Sequence, residues 1–137
     1  MPAFTFSNDT SRIDRAQVHA WLSEGAYWAK GRARDVQDAA IDASRNYGIW
    51  DASGAQVAYA RVVTDAVTFA WLCDVFVAED ARGQGAGKML VEGVIDDLAP
   101  LGIRRILLAT ADAHGLYERF GFAAPGDPNR YLVKMMA

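Results

Sequence analysis

Between Phe69 and Leu98 the chain passes from a long apolar stretch, through three alternating glycines, into a patterned helix, and this succession limits the fold more than any other feature. Phe69-Ala-Trp-Leu-Cys-Asp-Val-Phe-Val77 is apolar almost throughout, so it reads as a strand with both faces covered. Gly83, Gly85 and Gly87 follow. Leu90, Val91, Val94, Ile95 and Leu98 then share one helical face, and Pro100 and Gly102 end the helix. Ile103 to Ala109 reads as the next strand. A strand, a crossover helix and a second strand favour a parallel pair.

The flanking segments complete an α/β order. Phe4 and Phe6 alternate with polar residues and predict a short opening strand. Ser11 and Asp14 have capping-box spacing ahead of a helix carrying Val18, Trp21 and Leu22. Tyr27 to Gly31 reads as a loop, and Val36, Ala39, Ala40 and Ala43 suggest a second helix with those residues on one face. Tyr47–Trp50 and Val57–Val63 predict strands joined by a turn at Ser53-Gly54. A further turn at Thr64-Asp65-Ala66 makes these strands and the Phe69 strand an antiparallel meander. His114 to Phe120 predicts a short helix stopped at Gly121, with Phe122 packing back on it. Tyr131 to Met136 is expected to form a last strand.

Glycines between a buried strand and a helix leave main-chain amides bare, and a helix N-terminus adds unpaired N–H groups and a partial positive charge. Such a turn favours phosphate oxygens. Arg82 and Lys88 add charge at its ends. A phosphate loop of the Gly-x-x-x-x-Gly-Lys-Ser/Thr kind is excluded, because Arg82 stands at its first glycine and Met89 at its hydroxyl position. The Gly-x-Gly-x-x-Gly dinucleotide pattern fails too, with Lys88 or Leu90 where its third glycine belongs.

Arg82-x-x-Gly85-x-Gly87 resembles the Gln/Arg-x-x-Gly-x-Gly/Ala turn of the GNAT (Gcn5-related) N-acyltransferases. Ala113, Leu116, Tyr117, Gly121 and Phe122 resemble that family's second signature, with Thr110 where an asparagine is usual. The resemblance runs from Tyr47 to the end of the chain and is weaker in the first 45 residues. It implies one domain over residues 1–137 with a GNAT fold: a mixed, mostly antiparallel sheet flanked by helices on both faces. It also implies transfer of an acetyl group from acetyl-CoA to a primary amine by direct attack in a ternary complex. An acyl-CoA sensor of the same fold, without turnover, is the alternative; Tyr117 speaks against it.

By the same resemblance, Arg82, Gly83, Gln84, Gly85, Ala86, Gly87 and Lys88 would cradle the CoA pyrophosphate, with Thr110 nearby. Val75, Phe76 and Val77 would bind the pantetheine arm through their backbones. Tyr117 is the expected acid, protonating the departing thiolate. Asp74 is the second candidate, since a carboxylate in an apolar strand must be paired, hydrogen-bonded or face a cavity. It would accept the amine proton, directly or through water, or attract a cationic acceptor; a bond to backbone amides or to an arginine is the competing reading. Asp51 and Asp65 read as turn residues, His19 as a solvated residue on the polar side of the first helix, and His114 as a surface or cap position. Cys73 reads as an inert thiol in a packed strand, and Tyr27 and Trp28 as residues of a loop over the acceptor.

Composition narrows the partners. The chain has 137 residues, a net charge of −3 and no basic block, which argues against nucleic-acid binding. One cysteine and no Cys/His cluster exclude an internal disulfide and argue against a metal site. The opening residues lack the pattern of a secretory signal, and no apolar run is long enough for a membrane span. A cytoplasmic setting is therefore expected. The acceptor is expected to be small and cationic, and a homodimer is one expectation, dimers being frequent in the family.

Overall fold

Side-chain alternation in adjacent strands divides the interior into two cores. Tyr47 and Ile49 point to one face with Ala58, Ala60 and Val62, while Trp50 and Tyr59 point to the other. The computed structural model that shows this describes residues 3–136. In chain order the elements are β1 (Thr5–Ser7), α1 (Arg15–Gly25), α2 (Arg34–Asp42), β2 (Arg45–Trp50), β3 (Gln56–Thr64), β4 (Phe69–Val77), α3 (Ala86–Leu98), β5 (Arg105–Leu107) and α4 (His114–Glu118). The sheet order is β1-β2-β3-β4-β5. The first four strands pair antiparallel, and β4 with β5 is parallel.

The larger core joins the sheet to α3 through Leu90, Val91, Val94 and Leu98, and reaches Tyr117 of α4. The smaller core, beneath α1 and α2, holds Val18, Leu22 and Ile41 against Trp50 and Tyr59. Helices therefore cover both faces, as the α/β expectation required. Gly93 is what lets α3 sit close to the first strand: a Cβ there would fall 2.3 Å from the Phe6 ring, which itself stacks on Tyr47 with centroids 5.9 Å apart.

Several local expectations differ from the structure. Residues 131–136 form no strand; Leu132, Val133, Met135 and Met136 are 80–93% exposed. A strand needs a hydrogen-bonded neighbour, and none of the described residues supplies one. Nor is β4 covered on both faces throughout, since Phe69 and Trp71 are about one-third exposed where α1 and α2 do not reach. The second helix buries Gln37 and Ile41, leaving Val36, Ala39 and Ala43 outside. Asp14 itself caps α1, its carboxylate accepting the Gln17 N–H at 3.1 Å; Ser11 instead bonds to Asp9. β5 is shorter than Ile103–Ala109, because only Arg105–Leu107 find partners.

Gly93→Leu should destabilise the fold by about 1–3 kcal/mol, since α3 and β1 cannot both keep their places around an added side chain. Equilibrium urea unfolding followed by circular dichroism would measure it.

Candidate active site

β4 and β5 pair only at Phe69–Arg105, Ala70–Ile106 and Trp71–Leu107. Beyond Trp71 the strands part, and β4 continues to Val77 with β3 as its one partner. Ala78 N–H donates to Val57 C=O at 2.8 Å. Alternation then turns the Phe76 backbone toward β3 and the Val75 and Val77 backbones toward the opening. Of the three backbones expected along the pantetheine arm, those of Val75 and Val77 face the opening, whereas the Phe76 backbone is taken up by pairing with β3. The Val77 carbonyl already accepts from Arg82 Nε at 3.0 Å.

The glycine turn follows directly. Gly83 and Gly85 have φ of 75° and 89°, the left-handed region that side-chain-bearing residues rarely enter. Gly85 is the N-cap of α3 and brings no side chain to cap it, so the first amides of the helix face outward. A Cβ on Gly87 would lie 3.5 Å from the Val77 side chain and 3.7 Å from that of Leu116, so α3, β4 and α4 meet at this corner. Arg82, Gln84 and Lys88 are exposed around the turn, with Ala86 buried. The Arg82 guanidinium lies over the Phe76 ring, 5.4 Å from its centroid. A groove runs from Gly85 and Lys88 along the flank of α3 to Glu92 and Asp96, so its glycine end alone has the charge for phosphate.

Tyr117 enters from α4. The helix closes in a Schellman motif: Phe122 N–H bonds Tyr117 C=O at 3.3 Å, Gly121 N–H bonds Glu118 C=O at 3.1 Å, and Gly121 has φ of 88°. The Phe122 ring meets the Tyr117 ring edge-on at 5.9 Å. Tyr117 is 7% exposed, and burial, then the proximity of Asp112 and Tyr27, push its pKa up to about 12. The phenol therefore keeps its proton. Thr110 Oγ1 accepts from Ala113 N–H at 3.0 Å and shapes the turn before α4.

Asp74 sits at a β-bulge, where Ala60 of β3 faces two residues of β4 and Asp74 takes φ of 54°. The bend aims its carboxylate under the α1–α2 loop. Arg61 Nε donates to Oδ2 at 2.6 Å, Arg32 Nη1 to the same oxygen at 2.7 Å, and Trp28 Nε1 to Oδ1 at 2.9 Å. Burial alone would raise the Asp74 pKa, but the hydrogen bonds from Arg32 and Arg61 outweigh it and hold the carboxyl below its ordinary value. Of the open readings of Asp74, the arginine-bonded one matches this geometry, and a carboxylate so occupied is a weak base.

The same loop is tied elsewhere. His19 Nε2 lies 2.8 Å from the Arg32 carbonyl, so His19 is a loop anchor rather than a solvated residue. Tyr27 Oη accepts the Ala111 N–H at 3.0 Å, linking the loop to the segment before α4. Asp51 and Asp65 bind Ser53 and Thr68 within their turns, as expected of them. Cys73 is half-buried, and burial raises its thiol pKa. His114 is exposed at the start of α4. Arg32 and Arg61 are the residues that the sequence did not single out. The available signal was electrostatic: a buried carboxylate requires cations, but nothing local says which.

A sheet that opens ahead of a bare-amide turn, with a buried, protonated tyrosine on α4, is the arrangement expected of the acyl-carrier transferase class. The Acetyltransferase (GNAT) family model matches residues 14–122, and the chain belongs to that family of acyltransferase enzymes. A GNAT-family protein from Xanthomonas campestris pv. campestris is 41% identical with a TM-score of 0.92, over 99% of this chain and 95% of that one. Rice (Oryza sativa subsp. japonica) serotonin N-acetyltransferase 2, chloroplastic, is 35% identical over 82 residues, 59% of this chain. That match spans 41% of the rice protein, so the chain corresponds to less than half of this curated relative. The Escherichia coli ribosomal-protein-S18-alanine N-acetyltransferase shares the fold at 22% identity and a TM-score of 0.73, over 90% of this chain and 79% of its own. GNAT acetyltransferases use acetyl-CoA as co-substrate. No group of metal-ligating residues occurs among the described residues, and none of their helices is long and apolar enough to cross a membrane.

Asp74→Asn should cost about 3–5 kcal/mol, because two guanidinium groups lose their buried counter-charge. The pH dependence has a definite sign. Because the folded pKa is lowered, Asp74 contributes its stability above the unfolded value of about 3.9 and loses it as pH falls through the folded value. Urea midpoints between pH 7 and pH 2.5 should therefore decline less in the variant than in the wild type.

Proposed function

We propose that the protein transfers an acetyl group from acetyl-CoA to a primary amine by direct attack. The observation that carries this reading is the parting of β4 from β5 immediately before the glycine turn. In it, the amides from Gly83 to Lys88 hold the pyrophosphate of the carrier, aided by Arg82 and Lys88. Gln84 and Ala86 belong to the same turn. The outward backbones of Val75 and Val77 bond the pantetheine arm and align the thioester, while Phe76 packs beneath them on Trp21. Thr110 contributes by shaping the turn that presents α4.

The amine nitrogen attacks the thioester carbonyl, the C–S bond breaks, and the thiolate takes the Tyr117 proton. The phenolate regains a proton through water from the ammonium formed in the attack, so the net transfer is from nitrogen to sulfur. Surroundings that raise the phenol pKa raise the basicity of a departing thiolate as well. Asp74 holds Trp28 and Arg32 in place instead of accepting the proton; water does that. The expected preference for a small cationic acceptor rested on Asp74 and on the net negative charge of the chain. With Arg32 and Arg61 balancing the Asp74 charge, the proposal extends only to a primary amine.

Acetyl-CoA and an amine panel should give free thiol and N-acetyl product in equal amounts; carrier binding without thiol release for any amine would reject catalysis. Tyr117→Phe should lower kcat by roughly 10²–10⁴-fold, the usual worth of a positioned acid, with acetyl-CoA affinity nearly unchanged by calorimetry.

Gly85→Val forces a branched side chain into left-handed backbone at a cost of about 1–2 kcal/mol. Acetyl-CoA binding should weaken roughly tenfold if the strain is relieved by rearranging the turn. Calorimetric titration of the folded variant measures this.

A further inference from the structure

The opening between β4 and β5 is accessible from one face of the sheet only. On the closed face Ala70, Leu72, Val75 and Val77 of β4 pack into the core shared with α3 and with Tyr117 of α4. On the other face α1 and α2 stop short, and Val63, Phe69 and Trp71 are 42%, 36% and 37% exposed. Leu107 and Arg105 of β5 share that open face, because Trp71 pairs with Leu107 and Phe69 with Arg105, while Ile106 between them packs into the core. Trp71–Leu107 is also the last rung before the strands part. An amine that attacks a thioester held in the opening therefore arrives over this rung, with the rest of its molecule on Trp71 and its neighbours.

This floor is apolar and largely aromatic. Val63 stands opposite Trp71 across the β3–β4 ladder and Leu107 on its other side, with the Phe69 ring two residues back along β4. The charges near it are cationic, Arg105 beside Phe69 and Arg61 on β3. Asp74 is the one carboxylate in β3, β4 and β5, and Arg32, Arg61 and Trp28 already occupy it. A second ammonium group on the acceptor would meet no free counter-charge there. A flat ring would instead stack on exposed rings, and both would lose apolar surface to water. Apolar surroundings also favour a neutral amine over its ammonium form. Only the neutral amine attacks, so such a floor suits a site whose buried carboxylate is not free to act as a base.

We propose that the acceptor is a primary amine joined by a short chain to an aromatic ring, and that Trp71 selects it by stacking on that ring. The inference rests on the proposed transfer reaction and adds to it the class of amine. The ring lies over Trp71 and Phe69, the chain crosses the Trp71–Leu107 rung, and the nitrogen meets the thioester carbonyl in the opening. The covalent step is the one already given: the N–C bond forms, the C–S bond breaks, and the net proton transfer is from nitrogen to sulfur. Trp71 takes no part in that step; it sets which amine is held in place for it.

Initial rates of thiol release at saturating acetyl-CoA test it, with 2-phenylethylamine, ethylamine, hexylamine, 1,6-diaminohexane, lysine and a short peptide as acceptors. The kcat/KM for 2-phenylethylamine should exceed that of every other amine by roughly tenfold or more, the worth of a stacked ring. Trp71→Ala should reduce the preference for 2-phenylethylamine over ethylamine roughly tenfold, through KM, with calorimetric acetyl-CoA affinity and circular dichroism as controls. Val63→Glu places a carboxylate on the more exposed edge of the same floor, should swing the preference toward 1,6-diaminohexane, and serves where Trp71→Ala does not fold. Turnover that is fastest with any of the other amines leaves the transfer reading standing and overturns this one. A preference for 2-phenylethylamine that neither variant alters overturns it as well. No thiol release with any amine overturns both.

Discussion

Asp74 is one carboxylate in an otherwise apolar strand, and the loop between α1 and α2 is fastened to the sheet through it. Arg61 approaches from β3, Arg32 and Trp28 from the α1–α2 loop, and all three donate to the same side chain. Burying an unpaired charge is expensive, so loop and strand cannot separate without exposing an ion that has lost its partners. The bulge that turns Asp74 toward the loop also bends β4 just beyond the point where β5 leaves it. One interaction therefore fixes the wall of the cleft and the loop above it.

The functional geometry needs little specialised side-chain chemistry. A sheet that stops pairing leaves backbone groups free along an edge, and a glycine turn leaves amides free at a helix end. Both are general consequences of strand and helix structure. Placed in succession, at Val75–Val77 and Gly83–Lys88, they suit a long carrier bearing both amides and phosphates. Tyr117 is the exception, the one side chain to which the proposed reaction gives a chemical task. Its position rests on the Schellman closure of α4 and on the Phe122 ring.

Elements set by local pattern were legible in advance. Phe69–Val77 is a strand with the bounds its composition suggests, and α3 buries Leu90, Val91, Val94 and Leu98 as their spacing requires. The glycine turn and the stop at Gly121 were equally visible, because only backbone freedom was at issue. The partners of Asp74 were not, for Arg61 and Arg32 lie 13 and 42 residues away in the chain. Val36, Ala39, Ala40 and Ala43 share a helical face, yet the sheet takes the side of α2 that bears Gln37 and Ile41. Periodicity defines a stripe; the neighbouring layer chooses which stripe to bury. Tyr131–Met136 shows the same limit in a strand, for which an alternating apolar sequence is necessary but a partner edge is decisive.

By itself the sequence determined the order of strands and helices as far as α4, the glycine turn and the phenol on that last helix, since each follows from interactions within a few residues. Only the tertiary structure decided where β5 leaves β4, that Asp74 answers to two arginines, and that the final apolar segment lies outside the sheet. These depend on contacts between distant segments, whose free energies are set by geometry that no local pattern carries.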